Sequence, residues 1–309
     1  KADYVIYVGG LNKNHTQDCE GGDREHYQLP FGQDRLITEL LAVNSNTVLV
    51  IVSGNAYEMP WIDKTPALVQ SWYLGSEAGH ALADIISGDV CPSGKLPFSI
   101  AYQLTDYPAH KMGAVGYPGV SPDKLPQPFG GEEGKPMTSA RLLKAAVEGW
   151  KGINFCDEPG NGSMKDETEI YGEDILLGYR WFDYFKTKVR FPFGFGLSYT
   201  TFSYGKPTIS GRTVSVSVRN SGKVLGQEVV QFYVGDDKAS VIRPMKELKH
   251  FEKVALAPGE TKLISYTIDD DDLKFFDEEK HEWVAEPGTF TVYVGASAAD
   301  IHGKVKFNY

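Results

Sequence analysis

The residues of this chain best suited to chemistry fall in one short run, Gln17-Asp18-Cys19-Glu20-Gly21-Gly22-Asp23-Arg24. A loop glutamate flanked by glycine can be carried into a neighbouring pocket, where burial raises its pKa toward the value a general acid needs near neutrality. Glu20 is therefore the candidate proton donor and acceptor, with Asp18 as the alternative acid if the loop register is shifted. By base rates a solvated loop glutamate is the commoner case, and solvation or a turn cap is the commoner role for such an aspartate. On residue chemistry alone both readings stand. Asp23 and Arg24 are adjacent and opposite in charge, which favours pinning the loop over reacting. The planar fork of Arg24 would also suit a sugar hydroxyl or a carboxylate. Cys19 with His15 or His26 as base is a weaker nucleophilic alternative, because closeness in sequence is poor evidence for a dyad.

Other candidates have bland readings that outweigh their chemistry. Glu173 or Asp174 could be the second catalytic carboxylate, but acids ahead of the apolar run Ile175 to Leu177 more often begin a helix or face solvent. Trp61, Trp72 and Trp181 could form a sugar platform, yet their apolar neighbours favour core packing. The acidic run Asp269 to Asp272 lacks the spacing and glycine of a calcium loop and reads as a solvated turn. Gly9, Gly10, Gly21 and Gly22 do not make a dinucleotide fingerprint, and no P-loop lysine follows. No cofactor and no metal site is expected.

The elements that would position Glu20 follow a βα rhythm, which implies a parallel sheet. Tyr4 to Val8 reads as a buried strand and Phe31 to Val43 as a helix with Leu36, Ile37, Leu40 and Leu41 on one face. The intervening loop, residues 11 to 30, thus lies at a strand's carboxyl end, where open α/β sheets place ligands. Thr47 to Val52 and Leu68 to Tyr73 read as further strands. A helix follows, with Ser76 as N-cap and Gly88 as its stop. Ser139 to Trp150 reads as a short helix, and 152–168 as a polar surface excursion. Beyond Tyr199 the periodicity changes to two: Val214, Val216 and Val218, then Val230, Phe232 and Val234, then Phe290, Val292 and Val294. Turn signals at Asn220 to Gly222, Ala257 to Glu260 and Glu286 to Gly288 separate these runs, indicating a β-sandwich of immunoglobulin or fibronectin type III kind.

The 309 residues suffice for two cores, and the expected boundary falls near residue 200. A net charge of -10 without a basic cluster argues against nucleic acid. No apolar run approaches the roughly 20 residues that span a bilayer. The three cysteines, Cys19, Cys91 and Cys156, are too few and too scattered for a disulfide scaffold or a thiolate zinc site. No signal-peptide pattern accompanies the first residues, so the compartment is not written in this chain.

Several segments, taken together and in order, resemble the family 3 glycoside hydrolases. They are VGGL at Val8 to Leu11, QDCEGGDR at Gln17 to Arg24, and Trp72 to Leu82. SGDVCPSGKLPF at Ser87 to Phe98, YGEDILLGYRWFD at Tyr171 to Asp183 and FPFGFGLSYTTF at Phe191 to Phe202 continue the match. Within it, Glu20 to Arg24 fits the family's E-G-x-D-R pattern, although many members have glycine in place of Cys19. The resemblance implies an α/β class chain: residues 1–200 as part of the family's mainly parallel α/β sandwich domain, and 201–309 as its fibronectin type III-like β-sandwich. It also implies a retaining hydrolase of β-glucosides or β-xylosides, with Glu20 as acid/base and Asp18, Asp23 and Arg24 binding substrate or supporting the loop. The nucleophilic Asp of such enzymes lies on a (β/α)8 barrel, which this chain does not contain. That barrel, on the same parent protein or a separate chain, and a β-linked oligosaccharide or glycoside are thus the implied partners. A homodimer is left open, and the isolated chain is expected to be inactive. The resemblance further suggests a periplasmic or secreted enzyme, while the odd cysteine leaves a cytoplasmic location open. The competing reading is a non-catalytic module that binds carbohydrate or docks on a barrel.

Overall fold

A computed structural model describes residues 2–14, 17–19, 24, 26–117, 119–121, 139–149 and 169–309. Glu20, Asp23 and the excursion 152–168 lie outside the described residues, as do His15 and Cys156. The chain divides into two compact units, Lys1–Val90 with Ile100–Leu104, and Cys91–Ser99 with Thr105–Tyr309.

The first unit is built on three parallel strands in the order β1-β2-β3, formed by Val5–Gly10, Thr47–Val52 and Ala67–Gln70. Strand β2 is central, and its near-continuous apolar, mostly β-branched run is what a strand packed on both faces requires. Leu49, Val50 and Ile51 are fully buried. Strand β1, expected to be buried, lies at the sheet edge and turns Ile6 (54% exposed) and Val8 (62%) to solvent. Strand β3 ends earlier than expected because Trp72 takes a left-handed backbone (φ 56), which an extended strand excludes.

Helix α1 (Gln33–Val43) begins after Gly32, which is left-handed. Of its expected apolar face Ile37 is buried, Leu40 and Leu41 are half-buried, and Leu36 is exposed. Helix α2 (Ala78–Ser87) stops at Gly88 in the left-handed conformation (φ 87), as the sequence indicated. Its N-cap is Glu77, with no side-chain capping bond, and not Ser76. The preceding Gly75, also left-handed (φ 77), moves the helix start along the chain.

The second unit contains β5 (Val189–Phe191) and short helices α3 (Pro108–Lys111), α4 (Ser139–Val147) and α5 (Tyr179–Tyr184). The two-residue strand β4 (Ile100–Ala101) precedes them in the chain. The sandwich follows. One sheet runs β10-β9-β14-β15, from Glu247–Leu256, Gly226–Asp236, Thr289–Gly295 and Ile301–Asn308. The other runs β11-β8-β6, from Thr261–Thr267, Thr213–Asn220 and Phe202–Tyr204, with β7 (Thr208–Ser210) also on β8. A hairpin of β12 (Phe275–Asp277) and β13 (Glu282–Val284) completes it.

The alternating valines and phenylalanines of β8, β9 and β14 make one continuous buried cluster, because period-two side chains share a sheet face. The turn after β10 forms at Ala257–Glu260, with Gly259 at φ 79 and Ala257 bonded to the Glu260 carboxylate. Asp269 and Asp272 bond each other's backbone N–H groups, so that acidic run is a self-capped turn. Trp61 and Trp181 are buried, consistent with core packing.

Candidate active site

The loop after β1 leaves the sheet at Gly10, whose φ of 126 suits only glycine there. An added Cβ would sit 2.0 Å from the Val52 carbonyl oxygen. Gln33, at the start of α1, staples this exit. Its amide accepts from the Gly10 N–H (2.7 Å) and the Tyr7 hydroxyl (2.8 Å) and donates to the Gly10 carbonyl (2.8 Å). The far end of the loop is held by Asp34, which accepts from Leu29 N–H (3.2 Å) and from the indole of buried Trp61 (2.8 Å). Burial pushes the Asp34 carboxyl up, with those two bonds pulling the other way. An open depression of about 320 Å³ lies at the carboxyl ends of β1 and β2, lined in part by Gly10, Leu11, Gln17, Phe31 and Gln33. That is the ligand-bearing edge of an open parallel sheet.

Within the loop, Asp18 is fixed from three directions. Its Oδ2 accepts from the Gly54 N–H (2.7 Å) and the Tyr73 hydroxyl (2.7 Å), and its Oδ1 from the Asn55 amide (2.8 Å). The bond to Asp18, together with desolvation as the larger cause, pushes the Tyr73 hydroxyl up to about 12. Arg24 donates through Nε to the His26 carbonyl (2.7 Å) and through Nη2 to the Ala56 carbonyl (2.6 Å). Burial pulls its guanidinium below the ordinary value, with Asp18, Tyr27 and Tyr73 opposing. The Gln17 Oε1 and Arg24 Nη1 atoms are buried without a hydrogen-bond partner among the described residues.

Of the four candidate site residues, Asp18 and Arg24 are thus brought to one anchor, the Gly54-Asn55-Ala56 turn after β2. Tyr73, Asn55 and Gln33 were missed in the sequence. A Ser-Gly-Asn turn directly after a buried strand was the one signal that could have found the anchor. Glu173 and Asp174 belong to the second unit. Glu173 is buried with Oε2 lacking a partner among the described residues, and desolvation pushes both carboxyls up.

A parallel α/β unit with a loop carboxylate at its strand ends, followed by a fibronectin-like β-sandwich, defines a two-part α/β and all-β architecture. Residues 1–199 match the "Glycosyl hydrolase family 3 C-terminal domain" and residues 228–298 the "Fibronectin type III-like domain". The chain belongs to glycoside hydrolase family 3.

The chain is 50% identical to the β-glucosidase BoGH3A of Bacteroides ovatus, with 100% of this chain and 36% of that protein covered. It is 38% identical to a β-glucosidase of Kluyveromyces marxianus, over 97% of this chain and 30% of that one. The crystal structure of the Kluyveromyces marxianus β-glucosidase with glucose superposes at a TM-score of 0.76 and 36% identity, covering 99% of this chain and 31% of the other. DesR, a β-glucosidase from Streptomyces venezuelae in complex with D-glucose, gives 0.76 at 32% identity, with 100% and 34% covered. The chain spans about a third of the length of these curated relatives.

Proposed function

We propose that this chain supplies the acid/base half of a retaining β-glucosidase-type active site, with Glu20 as the proton donor. The observation that carries the reading is the placement of its loop. The run that holds Glu20 hangs from a strand's carboxyl end, and its flanks, Asp18 and Arg24, are both tied to the turn after β2. Alignment with β-glucosidases along nearly the whole chain supports it.

In the first step an Asp of a (β/α)8 barrel attacks the anomeric carbon. The bond to the aglycone oxygen breaks as Glu20 gives that oxygen its proton. In the second step Glu20 takes a proton from water, whose oxygen displaces the Asp from the sugar. The two carboxyls must stand about 5 to 5.5 Å apart for this course. The chain by itself is inactive in this reading, because the nucleophile is on the barrel. The substrate is a terminal β-D-glucosyl or xylosyl group, and the enzyme acts in the periplasm or outside the cell.

The test is Glu20→Gln in a protein that carries this chain together with its barrel. Turnover of alkyl or disaccharide glucosides should fall about 10²- to 10⁴-fold, the usual contribution of a general acid. Formation of the glycosyl-enzyme from a dinitrophenyl glucoside, whose leaving group needs no proton, should be spared. Equal turnover of both substrate types by the parent and the variant would overturn the assignment.

A further inference from the structure

The loop run from Cys19 to Asp23 is bounded by two polar ties that converge on three consecutive residues. Asp18 takes the N–H of Gly54 and the amide of Asn55, while Arg24 donates to the carbonyl of Ala56. A third strand end joins in through the Tyr73 hydroxyl on Asp18 Oδ2 at 2.7 Å. Gly54 is fitted to this arrangement: a Cβ there would stand 2.9 Å from Asp18 Oδ2 and 3.0 Å from Tyr73 Cε2. These contacts bury little apolar surface. Tyr73 is 52% exposed, and the bonds to Asp18 lie at the surface, where hydrogen-bonded charges add little to global stability. A polar clamp of this kind adds little as a device for holding the fold. It is well explained as a device for fixing where the next few residues go.

We propose that Asp18, Tyr73 and Gly54 are positioning residues for the acid/base carboxylate, a proposal that rests on Glu20 filling that role. Asp18 lies two residues before Glu20. Fixing the Asp18 carboxylate against the ends of β2 and β3 sets where the chain enters the glycine-flanked run that holds Glu20. Arg24 sets where it leaves. Proton transfer requires the donor within hydrogen-bond reach of the leaving oxygen, and a displacement of about 1 Å can cost on the order of 10²-fold in rate. The clamp therefore acts on the steps in which Glu20 moves a proton, and in glycosyl-enzyme formation its loss is felt in proportion to how much a leaving group needs a proton.

The experiment compares Asp18→Asn, Tyr73→Phe and Glu20→Gln, each in a protein carrying this chain with its barrel, on cellobiose and on 2,4-dinitrophenyl β-glucoside. Asp18→Asn keeps the shape but leaves one neutral amide oxygen to accept where two charged carboxylate oxygens met three donors. It should lower kcat on cellobiose about 10- to 100-fold. Tyr73→Phe removes one bond and should lower it roughly 3- to 10-fold. Both should leave glycosyl-enzyme formation from the dinitrophenyl glucoside, the KM values and the melting temperature near those of the parent. Equal losses on both substrates, losses that track the melting temperature, or unchanged cellobiose turnover would overturn the clamp. If Glu20→Gln separates the two substrates and the clamp variants do not, the clamp falls and the acid/base reading survives. If Glu20→Gln fails to separate them, both fall. Should Asp18→Asn fail to fold, Tyr73→Phe decides alone, since it removes only a half-exposed hydroxyl.

Discussion

The sandwich of the second unit and the candidate loop of the first are held together by opposite means. In the sandwich, β8, β9 and β14 each contribute three apolar side chains at every second position to one buried cluster. The deeply buried amide of Asn220 is satisfied from every side: it donates to the carbonyls of Val224 and Leu256 and accepts from Thr200 and the Gly222 N–H. The loop buries Leu11, Tyr27 and Leu29 near its two ends, but its middle, around Asp18, is fixed by polar contacts. It is held by single hydrogen bonds reaching 36, 37 and 55 positions along the chain, from Asp18 to Gly54, Asn55 and Tyr73. Burial secures a fold against many small changes, whereas polar ties secure one geometry and little stability. On the proposed reading, the loop that presents a carboxylate uses the second, where position matters.

This contrast can be broken at its strongest point by Phe232→Ala. The ring is fully buried in the sandwich, so its removal should cost about 3 to 5 kcal/mol in urea denaturation. A loss near that of an exposed site would mean the cluster is not the source of the sandwich's stability.

The next largest effect separates two neighbours on α1. Ile37 is fully buried and Ile37→Ala should cost about 2 to 5 kcal/mol, while Leu36, half exposed, should cost only about 0.5 kcal/mol. Equal costs would show that the side chain facing solvent here is covered in solution.

Asn220→Ala should cost about 1 to 3 kcal/mol, because four buried or half-buried groups lose their partner at once. Its effect should appear in the denaturation midpoint with no change in m-value.

The smallest effect is a pH response at the sandwich surface. Bonds from the hydroxyl and N–H of Ser240 hold the Glu286 carboxyl below the ordinary glutamate range. A carboxyl whose folded-state pKa is depressed contributes stability above its unfolded pKa. That contribution is lost as pH falls through the folded value. Ser240→Ala should move the Glu286 titration upward in a carboxyl-detected NMR series and flatten the acid-side loss of stability. An unmoved titration would show that the hydroxyl bond is not formed in solution.

How much of this was legible beforehand differs between the same two regions. Strand β8 was readable because its burial follows its own sequence, alternating residue by residue. The helix stop at Gly88 was readable for a similarly local reason, since a left-handed residue is needed there and glycine supplies it. The place of β1 at a sheet edge was not, nor was the early end of β3 at Trp72, because neighbours and backbone strain decide both. Among the candidate site residues, the run from Gln17 to Arg24 could be singled out from residue types alone. That Asp18 would be met by Gly54, Asn55 and Tyr73 could not, because no period links those positions.

By itself, then, the sequence determined the family, the change from helical and parallel-strand patterning to period-two patterning, and which loop carries the candidate acid. These are encoded in local order, where each residue's type answers to its immediate neighbours. Only the tertiary structure decided which distant groups converge on Asp18 and Arg24. Hydrogen bonds between separate loops depend on where parallel strands end, and the strands bring those ends together only when the sheet has formed.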